Sequence, residues 1–350
     1  MSAEFKLNEL LRDNILKLSP YTSARDEFSG EGDVYIDANE NPLGSATQHH
    51  HNRYPDPLQL ELKSGISKIK NVPVDQIFLG NGSDEAIDLV FRAFCQPSKD
   101  NIITVPPTYG MYQVLADIND VAIKKVNLTS DFQLNVDGIL NAIDENTKVI
   151  FICTPNNPTG NSIKTEDIFT ILQAFKGVVF VDEAYIDFTH TPSFTQELNN
   201  YPNLVVIQTF SKAWGLAAIR LGMAYASTDI IKVFNKVKFP YNISDLTQEA
   251  GLEAIRNWDG TKAMIQEILE QRIWLNTELN KLANVEKVYP SDANFLLVKI
   301  ENAHQVYMML IEQKIIVRDR SKVTLCEDTL RITVGTAEEN LKLINALKSL

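Results

Sequence analysis

Cysteine is scarce in this chain. Its 350 residues hold three, Cys95, Cys153 and Cys326, scattered and never in a C-x-x-C spacing. That excludes a disulfide framework and points to apolar thiols in a reducing compartment. Long apolar runs are missing too: none approaches the roughly 20 residues a membrane-spanning helix requires. The opening MSAEFKLNELLRDNILKL interrupts Leu7, Leu10, Leu11, Ile15 and Leu18 with polar residues, as an amphipathic helix does and a signal peptide does not. The cytoplasm is therefore the expected compartment. Positive charge is the third shortage, with 33 Lys and Arg against 45 Asp and Glu, a formal net charge of −12. Nucleic-acid and anionic-membrane binders need a positive field, so both classes are excluded, although a local arginine cluster for a small anion is not. There is no internal repeat or long linker. The run His49, His50, His51 has no other ligands spaced around it and reads as a solvated loop, so no metal site is expected.

What is present is an alternation. NIITV (101–105), KVIFIC (148–153), GVVFVDEAY (177–185), NLVVIQTF (203–210) and RLGMAYA (220–226) are nearly continuous apolar runs, like strands covered on both faces. SDEAIDLVFRAFC (83–95) and TEDIFTILQAFK (165–176) have helical periodicity and acidic first turns. Strand–helix alternation predicts an α/β domain with a mostly parallel sheet, whose ligands gather beyond the carboxyl ends of the strands. After PYNIS (240–244) the pattern changes. A long helical stretch from about Asp245 to Leu282 precedes strands in NFLLVKI (294–300), IIVRD (315–319) and LRITVG (330–335), and a helix closes the chain. The expected organisation is a large domain over 45–244 and a smaller α+β domain built from 1–44 and 245–350.

Several polar residues fall at the expected strand ends. Asp182 closes the run GVVFV and could pair with a cation, ligate a metal, or hold a proton on a ring nitrogen, as an Asp does in pyridoxal phosphate enzymes. Lys212 stands past the end of the next strand, and a lysine that loses its proton condenses with an aldehyde. An acid for a ring nitrogen and an amine for an aldehyde are the two poles of a pyridoxal phosphate site. GNGSDEAIDL (80–89) offers a phosphate cradle: Gly80 and Gly82 permit a tight turn, Ser83 brings a hydroxyl, and a helix begins with free N–H groups. Ser211 and Arg220 bracket the lysine and can complete that cradle. Asn157 of TPNNPTGN (154–161) and Tyr185 suit the ring's phenolic oxygen, and Tyr109 of PPTYGMY (106–112) suits stacking on the ring. Each alone has an ordinary reading as a solvated lysine, a structural acid or a turn. Their joint appearance, in order and at strand ends, carries the inference.

With LSPYTSAR (18–25), DANENPLG (37–44), RYPDP (53–57), VDEAYIDF (181–188), TFSKAWGLAAIR (209–220), IIVRDR (315–320) and LRITVGT (330–336), these segments resemble the fold-type-I, pyridoxal-phosphate-dependent aminotransferases, in their histidinol-phosphate branch. The resemblance covers essentially the whole chain. It implies a large domain with a mostly parallel central sheet covered by helices, and a smaller α+β domain. It also implies roles. Lys212 holds the cofactor's aldehyde and moves the substrate proton; Asp182 keeps the ring nitrogen protonated; Asn157 and Tyr185 bind the phenolate oxygen; Tyr109 stacks. Ser83, Asp84, Ser211 and Arg220 surround the phosphate. A homodimer is implied, with Tyr54 and Tyr21 contributing across the interface.

A transaminase binds two amines in turn, so one pocket must accept glutamate's carboxylate and the phosphate arm of histidinol phosphate. The fixed fork of Arg331 suits either anion. By the resemblance the second arginine is Arg318, with Arg320 as its substitute, and Tyr21 adds a hydroxyl. Asn39 and Glu40 either read the imidazole or only shape their loop. The expected reaction interconverts histidinol phosphate and 2-oxoglutarate with imidazole acetol phosphate and glutamate, in histidine biosynthesis. Threonine-phosphate decarboxylation and aromatic amino-acid transamination are the alternatives on the same scaffold.

Overall fold

The computed structural model describes residues 5–21 and 32–349. Seven strands, Ile77–Asn81 (β1), Asn101–Thr104 (β2), Ala122–Lys125 (β3), Thr147–Cys153 (β4), Val178–Asp182 (β5), Leu204–Thr209 (β6) and Leu221–Ala226 (β7), form one sheet in the order β1-β7-β6-β5-β4-β2-β3. The pairs from β3 through β6 are parallel, while β7 runs antiparallel to both β6 and β1. Every residue of β5, β6 and β7 is buried, which is why these segments carry nearly continuous apolar runs. One face of the sheet packs through Phe78, Phe151, Phe180 and Ile207 on helix Ser83–Phe94 and its neighbours, and the other through Ile150, Val179, Val181 and Val206.

A second, four-stranded antiparallel sheet contains Val285–Val288 (β8), Phe295–Ile300 (β9), Arg318–Asp319 (β10) and Thr329–Thr333 (β11), in the order β10-β11-β9-β8. Its apolar side is closed by Leu275 and Leu279 of the helix Trp258–Leu279 and by Leu343, Ile344 and Leu347 of the helix Ala337–Lys348. That last helix starts with a reciprocal capping box between Thr336 and Glu339. Among the described residues no helix is long and apolar enough to cross a membrane.

The structure differs from the sequence expectation in three places. The N-terminal amphipathic pattern forms two short helices, Leu7–Leu10 and Asp13–Lys17, because Arg12 adopts an extended backbone and gives its N–H to Ala93 O and its guanidinium to Arg92 O. Tertiary bonds outcompete one continuous helix there. The stretch after Asp245 splits at Asn257 into Asp245–Arg256 and Trp258–Leu279. Strands β3 and β8 have exposed residues along their length and lack the apolar signal that marks the others.

Candidate active site

The carboxyl ends of β1, β2, β4, β5 and β6 share one edge of the large sheet. Because β7 is antiparallel, its first residue lies at that same edge, and so does Arg220 immediately before it. A cavity of about 600 Å³ opens there, lined by Ser83, Asp84, Tyr109, Asn157, Asp182, Tyr185, Ser211, Lys212, Arg220, Arg318, Arg320 and Arg331, with Thr108, Cys153 and Thr209 among the others. Tyr54 and Tyr21 do not line it. Tyr54 is half exposed and stacks on Tyr241 at 4.4 Å, and Tyr21 is 74 % exposed. Residues 22–25 of the LSPYTSAR segment lie outside the described residues. Glu40 accepts from Arg53 at 2.6 Å and from the Tyr54 N–H at 2.7 Å, so it ties its own loop together. Asn39 takes a left-handed conformation with φ 55°. The three histidines are exposed, and among the described residues no cluster could hold a metal.

Asp182 ends β5, buried at the wall of the cavity. Its Oδ2 accepts the Tyr112 hydroxyl at 2.7 Å and its Oδ1 the Ala184 N–H at 3.0 Å. Burial pushes its carboxyl up to about 6, against the pull of those two donors. Lys212 follows β6, its Nζ 5.7 Å from the centre of the Tyr185 ring. Burial lowers the Lys212 pKa, the Arg331 charge lowers it further, and Asp182 and Asp84 oppose. A lysine biased toward its neutral form is what nucleophilic attack on a carbonyl requires.

The buried acid has a consequence for stability. The Asp182 carboxyl titrates near 3.8 unfolded and about 6 folded, so between those values the folded chain holds a proton the unfolded chain has lost. Stability of the cofactor-free protein therefore falls as pH rises through that window. Asp182→Asn should raise its melting temperature at pH 8 by about 2–4 °C and change it little below pH 4; thermal melts of the stripped protein across pH check this.

The turn expected to cradle a phosphate is closely packed against the start of β7. Gly82 has φ 71°, and a Cβ there would lie 2.5 Å from Arg220 Nη2; a Cβ on Gly222 would lie 2.1 Å from the Ser83 nitrogen. The Gly82 N–H donates to Arg220 O at 2.7 Å, tying the turn to the start of β7. No side chain caps the helix Ser83–Phe94, so its first N–H groups lack a capping partner at the end where Ser83 and Asp84 line the cavity together with Ser211 and Arg220. Arg220 itself rests on Asp84 Oδ2 at 3.3 Å, and Tyr109 donates to Asp84 Oδ1 at 3.3 Å. A turn that only glycine fits, a buried carboxylate and a lysine whose pKa burial lowers are features that suit pyridoxal phosphate.

The opposite wall is cationic. Arg318 of β10 pairs in register with Arg331 of β11, so both side chains leave the same face of the small sheet, and Arg320, two residues along, shares that face. Arg331 Nη1 donates to Asn157 Oδ1 at 2.5 Å, and its guanidinium lies 5.3 Å from the Phe295 ring centre. Asp319 turns away to His304 at 2.8 Å and to the Ser321 N–H. Sequence reading ranked Arg320 behind Arg318; both line the cavity. Tyr112, three residues after Tyr109 and buried in the helix Met111–Ile118, was not among the residues expected at the site.

Residues 27–347 match the family model for aminotransferase class I and II. The chain belongs to the class I and II aminotransferases. Within them it is 56 % identical over 345 residues, 99 % of each chain, to a histidinol-phosphate aminotransferase of Cytophaga hutchinsonii. Among solved structures, a histidinol-phosphate aminotransferase from Clostridium acetobutylicum superposes with a TM-score of 0.79 at 26 % identity, covering 85 % of this chain and 90 % of that one. An L-threonine-O-3-phosphate decarboxylase from Porphyromonas gingivalis shares the fold at a TM-score of 0.72 and 23 % identity, covering 85 % of this chain and 90 % of that one.

Proposed function

We propose that this chain is a pyridoxal-phosphate-dependent aminotransferase that interconverts histidinol phosphate and 2-oxoglutarate with imidazole acetol phosphate and glutamate. The observation that carries the substrate reading is the in-register pair Arg318 and Arg331, joined by Arg320, facing Lys212 across one cavity. Three guanidiniums on one wall of a chain with net charge −12 suit a phosphate monoester and leave one fork sufficient for glutamate's carboxylate. The near-full-length identity to histidinol-phosphate aminotransferases supports the same reading over decarboxylation, since the fold is common to both.

When bound, pyridoxal phosphate links to an amine through its aldehyde and withdraws electrons from the substrate's Cα through its ring. The residues divide the remaining work. Asp182 holds a proton at the ring nitrogen. Asn157 and Tyr185 bind the phenolic oxygen, Tyr109 covers the ring face, and Ser83, the Asp84 backbone, Ser211 and Arg220 anchor the phosphate. Lys212 Nζ takes the substrate's Cα proton and returns it. Arg331 orients whichever anion enters, with Arg318 and Arg320 taking the phosphate arm. The exposed Tyr54 and Tyr21, which miss their own cavity, support a homodimer in which each reaches the partner's site. Residues 45–244 form the cofactor-binding domain in this reading, 1–44 and 245–350 the smaller one, and the enzyme is cytoplasmic.

The test is a half-reaction. Holoenzyme mixed with glutamate alone should convert its cofactor to the amino form, releasing 2-oxoglutarate, and histidinol phosphate should do so at a higher kcat/KM than phenylalanine. Carbon dioxide from threonine phosphate without conversion by glutamate would sink the proposal.

A further inference from the structure

The residue behind the acid has no assigned part in this chemistry. Tyr112 lies in the first turn of the helix Met111–Ile118, is 1 % exposed, and does not line the cavity. Its ring is fixed on two sides, stacked on Phe151 at 4.8 Å and 21° and meeting Tyr109 edge-on at 5.6 Å and 87°. Its hydroxyl lies beside the Cys153 thiol and donates to Asp182 Oδ2 at 2.7 Å. The Ala184 N–H holds the other oxygen. A carboxylate has about four acceptor sites, so two donors fix its plane and still leave lone pairs for a cation.

We infer that Tyr112 is a positioning residue: its buried hydroxyl pins the Asp182 carboxylate so that it meets the cofactor's ring nitrogen in a single orientation. This rests on the assignment of Asp182 to that nitrogen. The alternative, that the hydroxyl merely satisfies itself inside the core, predicts no effect on cofactor electrostatics. Around Asp182 the titratable and charged groups are Tyr112 and Tyr109, Cys153 at the end of β4, Tyr185, Asp84 on the facing helix and Lys212. Of these, Tyr112 supplies the hydrogen bond, and it favours the ionised acid. Losing it makes Asp182 take up a proton at higher pH. The carboxylate fraction near neutrality then drops, and with it the hold on a protonated ring.

The experiment measures pyridoxal phosphate binding to the cofactor-free protein across pH 5–9, a readout independent of turnover. In Tyr112→Phe, which keeps ring and stack, the midpoint of the pH dependence should move upward by about one pKa unit, weakening affinity by about threefold near pH 6.5 and by up to about tenfold toward pH 5, with recovery above pH 8. Replacing Tyr112 by a fluorinated tyrosine, a stronger donor, should move the midpoint the opposite way and serves also if the Phe variant does not fold. In an Asp182→Asn background Tyr112→Phe should alter affinity by less than about twofold, since coupled residues are non-additive. A Tyr112→Phe profile that superimposes on wild type, or that is weaker by one factor at every pH, overturns the inference. If Asp182→Asn alone leaves affinity unchanged, the assignment of Asp182 has failed instead.

Discussion

Lys212→Ala should abolish turnover, by on the order of 10⁴-fold or more, while the protein still folds and still binds pyridoxal phosphate non-covalently. The reasoning runs from position to chemistry. Lys212 follows the buried strand β6 at the edge where Asp182 ends β5, and its side chain reaches the cavity without an ion-pair partner among the described residues. Burial and the Arg331 charge lower its pKa, so its amine spends more time neutral than a surface lysine does. In the proposed roles alanine removes both the covalent tether and the base that shuttles the Cα proton, and among the described residues no other lysine lines the cavity. Borohydride should trap cofactor covalently on the wild-type chain and not on the variant. Turnover within tenfold of wild type would overturn the role given to Lys212. Lys212→Arg, which keeps the charge but neither deprotonates nor condenses, should be as inactive as alanine.

Much of this site was legible in the chain because strand ends are. Continuous apolar runs mark strands covered on both faces, and the polar residue that stops each run sits where ligands gather. Asp182, Lys212 and the loop carrying Asn157 were placed that way. The direction of β7 was not legible, since an apolar run carries no polarity, yet that direction brings Arg220 to the Gly82 turn and Asp84. Tyr112 was hidden for a related reason. A buried tyrosine in an apolar helix reads as core until its hydroxyl's partner is known, and that partner lies seventy residues away. The break at Arg12 depends on carbonyls of another helix, which local periodicity cannot register. The pairing of Arg318 with Arg331 likewise required the sheet register.

That register sets up the second large effect. Arg331→Ala should lower kcat/KM for glutamate and for histidinol phosphate alike, each by about 10²-fold, near 3 kcal/mol of lost anion binding. Arg331 is the half-buried member of the pair, held by Asn157 Oδ1 and lying over the Phe295 ring, so its fork arrives already oriented. Pre-orientation means little side-chain entropy is lost when an anion binds. The substitution also frees Asn157, so the site loses a partner on the cofactor side. Arg318 is exposed and free of that tether, and a carboxylate already satisfied by one fork gains little from it. Arg318→Ala should therefore cost histidinol phosphate about tenfold and glutamate less than about threefold. Steady-state kinetics with both amino donors separates the cases. Equal losses for the two donors in the Arg318 variant would contradict the division of labour, and an Arg331→Lys variant with full activity would show that charge alone, without the fork, is enough.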